Sequence, residues 1–382
     1  MTKHATSQPA EDPSYPMRVE HVYEFLVSAG QKPERIDSFI TKSIVHATRT
    51  RVQRAIDQGT VLVNGKPARS NYKIRPGDDI RVTVMRPPPL QLIPQNIPLT
   101  ILFEDEHLMV IDKPAGILAH PGLGNRSGTL VNAVLWHLGF REPIDVLKRR
   151  EGWDDDDEAA ESTQETTSNE DAEVSDDQPW GVDEATAFES KGMRPGIVHR
   201  LDKDTTGIMV IGKTYEATLG LASQFSNRTV EREYVALAWG VVKEDFQLIE
   251  GDIGRSSKDR KLRAIVERGG KYAGTEVTVL ERYDFASLVT CKLRTGRTHQ
   301  IRVHLSAKRH ALVGDADYGG REVAFNAVYS AFRRTAQIAL TLIQRQALHA
   351  RLLGFTHPIT NERMSFESPI PADMQACIDL FR

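Results

Sequence analysis

The chain has 382 residues, of which 40% are hydrophobic and 26% charged, and a formal net charge of −3. This length and composition allow two or three domains with packed cores. The two cysteines exclude a disulfide framework and a cysteine-based zinc site, and we expect no membrane-spanning helix because no uncharged apolar run reaches about 18 residues.

Residues 1–17 are polar and contain proline, so we expect a disordered tail at the start of the chain. They lack the apolar core of a signal peptide, which predicts a cytoplasmic protein.

Residues 18–86 predict a small basic domain with two short helices and a hairpin. Apolar side chains recur at helical spacing from Arg35 to Ile40, and a second helix is expected to end at Gly59. Asn64-Gly65 is a hairpin turn signal, and an alternating strand follows it. From Arg35 to Arg86 there are 11 Lys plus Arg against 4 Asp plus Glu.

This unit resembles the S4-like RNA-binding fold. The basic side chains expected to face phosphates are Arg35, Arg49, Arg51, Arg54 and Lys66. Phosphate contacts supply affinity rather than sequence choice. A solvated basic face on a small adaptor domain is the alternative interpretation.

A Pro-rich linker is predicted over residues 87–98. From Leu99 to Pro114 two apolar strands flank an acidic turn, and a helix with one apolar face is predicted from Thr129 to Gly139.

An acidic segment then interrupts the pattern. Residues 151–190 carry 16 acidic and no basic side chains, so the rest of the chain has 36 acidic against 49 basic residues, a net charge of +13. We interpret residues 141–191 as a disordered insertion, because so polar a segment cannot bury enough surface to fold alone. It is either a tolerated surface insertion or a segment that competes with RNA for basic surface. The rest of the chain, outside residues 151–190, is basic, which indicates a nucleic-acid partner.

The stretch from His199 to Gly207 is a polar loop between two apolar runs that predict buried strands. It contains Asp202 beside Arg200, on a loop fixed at both ends. An acid held in this way is a candidate reactive carboxylate. A salt-bridged turn would give the same local pattern.

Beyond this loop, a helix is predicted over Lys213–Arg228 and a strand over Thr229–Val242, with Tyr234 inside the strand. Two long strands and a helix follow between Gly269 and His310. Thr298 is a plausible N-cap for that helix. Arg297 then lies at the strand-to-helix junction, where a side chain can project into a cleft.

The remaining segments predict less. Arg345–Phe355 is either a strand or a short helix, and the residues after it are expected to end the sheet with a turn.

Several motifs, in this order along the chain, resemble those of the RluA-type RNA pseudouridine synthases, and the organisation resembles the RluD branch. They are Ile111–Gly122, Arg194–Val210, Arg232–Gly240, Leu293–Leu305, Gly314–Gly320 and Arg345–Ala350. The resemblance implies an α+β fold, in which residues 99–382 form a mixed, mostly antiparallel sheet with flanking helices. It also implies an isomerase that needs no metal or cofactor and acts on RNA, with large-subunit rRNA as the expected substrate. We expect a monomer.

The resemblance also implies roles for four residues. Asp202 matches the essential aspartate, and Tyr234 the tyrosine that stacks on the target base. Arg297 matches the basic residue that pairs with the aspartate, and Arg200 the arginine that occupies the position of the flipped nucleotide. Whether Asp202 acts as a base at C2′ or as a nucleophile is left open.

Two other functions fit parts of the sequence. One is an S4-like RNA-binding protein without catalysis. The other is a hydrolase that uses Asp202 as a nucleophile and releases free uracil.

Overall fold

The computed structural model describes residues 19–44, 47–86, 91–121, 127–145, 196–259, 262–322 and 330–382. The predicted tail at 1–17 lies outside the described residues, as do 87–90 of the predicted linker and 146–191 of the predicted insertion. The described chain forms two compact units, one up to Gln91 and one containing almost everything from Leu92 onwards.

The first unit is a small sheet with two helices. Its elements are β1 (Val19–Leu26), α1 (Ile36–Ser43), α2 (Arg49–Asp57), β2 (Val61–Val63), β3 (Lys66–Pro67) and β4 (Asp79–Arg86). The strands lie in the order β1-β4-β2-β3. Asn64 and Gly65 both have positive φ, 50° and 76°, as the predicted hairpin turn requires.

Strand β1 was not predicted from the sequence. It pairs with β4 along its whole length, antiparallel. Glu20, Glu24 and Leu26 lie on one face of β1 and are exposed, while Tyr23 and Phe25 on the other face pack against the core of the unit.

From Gln91 onwards the strands are β5 (Gln91–Leu92), β6 (Thr100–Glu104), β7 (Leu108–Lys113), β8 (Ile144–Asp145), β9 (Gly196–Ile197), β10 (Thr206–Gly212), β11 (Glu231–Trp239), β12 (Phe246–Arg255), β13 (Arg263–Ile265), β14 (Lys271–Arg282), β15 (Ala286–Leu293), β16 (Leu348–Thr356) and β17 (Arg363–Glu367). The helices are α3 (Leu130–His137), α4 (Tyr215–Ser226), α5 (Gln300–Ala307), α6 (Arg333–Leu342) after a 3-10 turn at Ser330–Phe332, and α7 (Ala372–Phe381). No helix within the described ranges combines the length and the apolar composition that a bilayer crossing requires.

One large sheet organises the second unit. Its strands run in the order β13-β12-β14-β15-β11-β16-β10-β7-β6, with β17 paired to β16 and β9 to β10, while β5 and β8 form a separate two-stranded sheet. The pairing of β10 with β16 is parallel, and the other pairs with a register are antiparallel. The predicted mixed, mostly antiparallel sheet with flanking helices is therefore confirmed.

Strand β11 separates two hydrophobic cores because successive side chains point to opposite faces of a sheet. Tyr234, Ala236 and Ala238 belong to the core that includes residues of α3 and α5. Val235 and Leu237 belong to the core under α6 and α7. The alternation thus directs Tyr234 to the face of the sheet that carries α5.

The segment from Arg345, for which the sequence allows a strand or a short helix, contains the strand β16, which is hydrogen-bonded to β11 and β10 on its two sides. The described end of the predicted linker is hydrogen-bonded to α3. The side chain of Asn132 donates to the carbonyl of Ile93, and Gln95 N–H donates to the carbonyl of Asn132. The helices α6 and α7 were not predicted.

Candidate active site

Asp202 lies on the loop between β9 and β10, where the predicted polar loop is found. The turn is closed by a hydrogen bond from Thr205 N–H to the carbonyl of Asp202, at 3.1 Å. The loop leads into Gly207, which has a φ of +118° and lies so close to β16 that an added Cβ would sit 2.2 Å from the carbonyl oxygen of Ala350. Only glycine fits there, so the parallel contact between β10 and β16 fixes one end of the loop.

Lys113 connects the loop to the segment that follows β7 by hydrogen bonds. Its side chain is fully buried at the end of β7, and Nζ donates to the carbonyls of Pro114, Ile117 and Lys203 at 2.9 to 3.0 Å. Burial lowers the pKa of Lys113 to about 8, against the charges of Asp204 and Asp202. The amine is still mainly protonated at pH 7 and has three N–H donors for three carbonyls.

The residues just before Gly207 are also hydrogen-bonded to the segment before β16. Nη1 of Arg345 donates to the carbonyl of Asp204 at 3.3 Å, and Gln346 donates to the hydroxyl of Thr205 at 3.1 Å. Arg345 itself makes two hydrogen bonds of 2.8 Å to the carboxylate of Asp373. Groups far apart in sequence therefore set the backbone around Asp202.

His199, the first residue of the loop, binds the backbone. Its Nε2 accepts a hydrogen bond from Val210 N–H at 3.0 Å, and its ring stacks on Phe225 at 4.4 Å. Burial and the nearby Arg232 lower the pKa of His199 to about 3. It is therefore neutral at pH 7 and ties the loop to β10.

The Asp202 carboxylate contacts the guanidinium of Arg302, on α5, through Nη1 and Oδ2 at 3.2 Å. Arg302 also donates to both oxygens of Asp315, at 2.7 and 2.8 Å, and to Asp317 at 2.6 Å. Both Arg302 and Asp315 are buried. Three carboxylates thus share one guanidinium, and the two-bond pairing with Asp315 fixes its plane.

The structure shows Arg302 beside the Asp202 carboxylate, and the predicted pairing of Asp202 with Arg297 stays a prediction. The nearest cationic contact of the carboxylate is Arg302, whereas Nε of Arg297 donates to the carbonyl of Tyr272 at 3.1 Å. Arg297 precedes the helix α5, while Arg302 lies inside it on the face turned towards the loop. Sequence reasoning missed Arg302, although it stands only five residues further along the same motif.

The cap of α5 also differs from the prediction. The N-cap residue is His299 rather than Thr298, and it has the left-handed φ of 56°. Its Nδ1 lies 2.8 Å from the hydroxyl of Tyr318, and its Nε2 lies 3.9 Å from Oδ1 of Asp202. The imidazole of His299 therefore contacts Tyr318 through Nδ1 and faces the carboxylate of Asp202 with Nε2.

The four residues predicted to serve the reaction line one cavity of about 320 Å³. Asp202 and Tyr234 lie in its wall, and Arg200 and Arg297 line it too. Tyr234 is buried, which raises the pKa of its phenol, so the ring is neutral at pH 7. The structure brings these residues together, and their roles stay predictions.

The cavity is strongly basic. Among the described residues, five arginines line it: Arg200, Arg228, Arg232, Arg297 and Arg302. Arg228 and Arg232 were not singled out from the sequence. Arg232 could have been found, because it stands two residues before Tyr234 in β11 and so points to the same face of the sheet.

The basic residues predicted to bind RNA lie on the first unit. Arg54 and Lys66 are exposed, and so is Arg49, at the start of α2. Arg35 makes two hydrogen bonds, at 3.0 and 2.8 Å, to the buried carboxylate of Asp37, and these bonds lower the pKa of that carboxyl. The guanidinium of Arg35 is thus already paired with a carboxylate of the same unit.

Within the described parts of the chain, no group of three or more His, Cys, Asp or Glu side chains is arranged to hold a metal ion.

Comparisons with known proteins agree with the motifs. The family model described as RNA pseudouridylate synthase matches residues 107–307, and the S4 domain model matches residues 34–80. The chain is 42% identical over 359 residues to an uncharacterized RNA pseudouridine synthase of Chlorobaculum parvum, covering 93% of this chain and 96% of that protein. It is 37% identical over 360 residues to the uncharacterized RNA pseudouridine synthase YlyB of Bacillus subtilis, covering 94% and 98%. It is 38% identical over 351 residues to the ribosomal large subunit pseudouridine synthase D of Neisseria meningitidis, covering 91% and 79%.

Replacing Lys113 by methionine is expected to lower the free energy of unfolding at pH 7 by about 2 kcal/mol, because three carbonyls lose their donor in a buried place. Urea denaturation followed by circular dichroism measures the loss. Lys203→Met is the matched control, since the side chain of Lys203 is exposed and the loop uses its carbonyl. Equal losses in the two variants would contradict the role given to Lys113.

Asp315→Asn is expected to destabilise the second unit by roughly 3–5 kcal/mol, because it removes the main partner of a buried guanidinium. Asp317→Asn removes a half-exposed partner of the same guanidinium and is expected to cost less than about 1 kcal/mol. The same denaturation experiment compares them. A loss for Asp317→Asn as large as that for Asp315→Asn would show that burial does not decide the difference.

Proposed function

Because the chain belongs to the RNA pseudouridylate synthase family, we propose that it isomerises specific uridines of large-subunit ribosomal RNA to pseudouridine, with Asp202 as the catalytic carboxylate. The chain is an isomerase with an RNA substrate. The name of the Neisseria meningitidis relative, which refers to the ribosomal large subunit, supports this choice of RNA. The observation that carries the proposal for Asp202 is its carboxylate at the wall of a basic cavity, beside Arg302 and in the same cavity as Tyr234.

The reaction breaks the N1–C1′ bond of uridine, turns the uracil and joins C5 to C1′. It needs no redox step and no external group. Asp202 can take part in two ways, as a base that removes the C2′ proton or as a nucleophile that attacks C1′ or the uracil ring. Both routes need an ionised carboxylate, and Arg302 lies beside it as a cationic hydrogen-bond donor.

The contact with Arg302 leaves the carboxylate able to react. It uses one N–H and Oδ2 of Asp202 at 3.2 Å. The other oxygen, Oδ1, lies 3.9 Å from Nε2 of His299. One oxygen is thus held in place and the second can approach the sugar or the base, which is the preorganisation that a positioned carboxylate requires.

The target uridine has to leave its stack to reach the cavity, which costs a few kcal/mol. Stacking on Tyr234 would return about 1–3 kcal/mol of this cost. Arg200 is exposed beside Asp202 and lines the cavity, so we propose that it takes the place of the extruded nucleotide. Arg297, Arg228 and Arg232, which also line the cavity, would contact the phosphates on either side of the uridine.

The S4 unit is proposed to supply general affinity for RNA through Arg35, Arg49, Arg51, Arg54 and Lys66. Contacts between such residues and phosphates release counterions and do not read the sequence. We further propose that the protein is a monomer in the cytoplasm, that residues 18–86 and 99–382 are its RNA-binding and catalytic domains, and that the chemistry uses no cofactor.

Asp202→Asn is expected to reduce pseudouridine formation at least about 100-fold, since the amide can neither accept a proton nor act as a nucleophile. Mass-shift labelling of pseudouridine in rRNA from cells that carry the variant measures the loss. Asp204→Asn, which removes the same charge two residues away, is the matched control and is expected to retain most activity.

Two outcomes would overturn the proposed function. Unchanged pseudouridine at every rRNA site in the Asp202→Asn strain would leave an RNA-binding protein without catalysis. Release of free uracil by the wild-type protein would indicate the hydrolase instead.

The variants Arg51→Gln and Arg54→Gln are each expected to weaken RNA binding and to reduce the slope of log K against log salt concentration by about 1, because each removes one phosphate contact. Filter binding at several salt concentrations, with an rRNA transcript, measures the slope. Arg382→Gln, whose guanidinium pairs with Glu281, serves as the control of equal charge. A slope that stays at the wild-type value in both S4 variants would remove these residues from the interface.

A further inference from the structure

Pseudouridine formation moves a proton as well as a carbon–nitrogen bond. When C5 has joined C1′, C5 still carries its hydrogen, and N1 has yet to gain one. In both routes open to Asp202 its carboxylate acts at the sugar or on the ring, so a second group is needed for this transfer.

We propose that His299 is a further catalytic residue, whose Nε2 takes the proton from C5 and delivers it to N1. This inference rests on the proposed function and concerns the same cavity. His299 lines that cavity together with Asp202 and Tyr234.

The position of Nε2 is the first support. It lies 3.9 Å from Oδ1 of Asp202, the oxygen that Arg302 does not hold. A uracil that reaches this carboxylate must come within reach of the imidazole too. Catalytic contacts are often long in the absence of substrate and shorten when it binds.

The orientation of the ring is the second support. Nδ1 lies 2.8 Å from the hydroxyl of Tyr318, and the two rings meet edge to face with centroids 5.6 Å apart. The Tyr318 oxygen also accepts a hydrogen bond from Arg263 N–H at 3.0 Å. A phenol oxygen has two lone pairs, so it can accept from Nδ1–H as well, and in that tautomer the lone pair of Nε2 points towards Asp202 and the cavity.

The backbone of His299 is the third support. It has a φ of 56°, a left-handed conformation that is costly for a residue with a side chain. Such conformations persist where the surrounding structure holds them. Here the strained residue is the N-cap of α5, the helix that also carries Arg302.

The protonation state fits a base. Burial lowers the pKa of His299, so the ring is neutral at pH 7 and its lone pair is available. The carboxylates of Asp202, Asp315 and Asp317 oppose this effect and would stabilise the imidazolium once it forms.

The other titratable residues in the cavity wall are less suited to take the proton from C5. Burial raises the pKa of Tyr234, so its phenol holds its proton. His199 already accepts a hydrogen bond at Nε2 from Val210. The arginines cannot give up a proton at neutral pH.

The step balances without any further reactant. Nε2 removes the C5 hydrogen as a proton, the C5–H electron pair forms the C5=C6 double bond, and the C6=N1 pair moves onto N1. The imidazolium then protonates N1 and returns to the neutral form. The product is pseudouridine, with a hydrogen on N1 and none on C5.

The test compares full-length wild-type protein with His299→Asn under single-turnover conditions. The substrates are two large-subunit rRNA transcripts made in vitro, one with ordinary uridine and one with uridine deuterated at C5. Pseudouridine is measured by mass spectrometry after nuclease digestion. His137→Asn, on α3 and paired with Glu104, is the matched control.

We expect His299→Asn to be slower than wild type by about 100-fold or more. We also expect a larger kinetic isotope effect, which is the rate with hydrogen at C5 divided by the rate with deuterium. This ratio should exceed the wild-type ratio because removal of the C5 proton becomes rate-limiting in the variant. Tyr318→Phe is expected to raise the ratio with a smaller loss of rate, since the imidazole remains but loses its partner. His137→Asn is expected to match wild type in both.

The isotope ratio does not depend on how much of a variant is folded, because both rates come from the same preparation. A ratio for His299→Asn no larger than that of wild type would overturn the inference, whatever the loss of rate. Absence of pseudouridine with wild-type protein would refute the proposed activity and this role together, and so differs from a failure of His299 alone.

Discussion

The shared guanidinium of Arg302 is the interaction on which the geometry of the cavity depends. A buried charge has to be paired, and Asp315, itself fully buried, meets that requirement with two hydrogen bonds. The guanidinium therefore cannot turn towards Asp202 as a whole and gives it a single N–H at 3.2 Å. This arrangement holds Oδ2 of Asp202 in place, while Oδ1 has no contact with Arg302 and lies 3.9 Å from Nε2 of His299.

The backbone of the loop that carries Asp202 is fixed by hydrogen bonds to its carbonyl groups and by close packing of β10 on β16. Lys113 and Arg345 bind carbonyl groups of the loop, and Gly207 permits the close approach of β10 to β16. None of these three residues lines the cavity. They come from three separate parts of the chain, so the position of the carboxylate depends on the complete sheet and not on the loop alone.

The residues proposed to bind RNA and those proposed to carry out the chemistry lie in different units of the chain. The S4 unit offers exposed cations that suit phosphates in any sequence. In the second unit, arginines surround a cavity that is also lined by a neutral tyrosine, Tyr234, and two neutral histidines, His199 and His299. Burial is the common cause of that neutrality, since it disfavours both the tyrosinate and the imidazolium. The same cavity can thus attract phosphate and still present uncharged groups to a base.

The sequence by itself determined the kind of many elements, the polar loop with Asp202 and the strand with Tyr234, because hydrophobic periodicity, turn residues and ordered motifs are local signals. It did not reveal β1, α6 or α7, nor which arginine contacts Asp202. Arg297 and Arg302 belong to one motif, and only the left-handed turn at His299, followed by the direction of α5, decides that Arg302 faces the carboxylate. Contacts of this kind depend on where side chains point after the chain has folded, which no local pattern encodes.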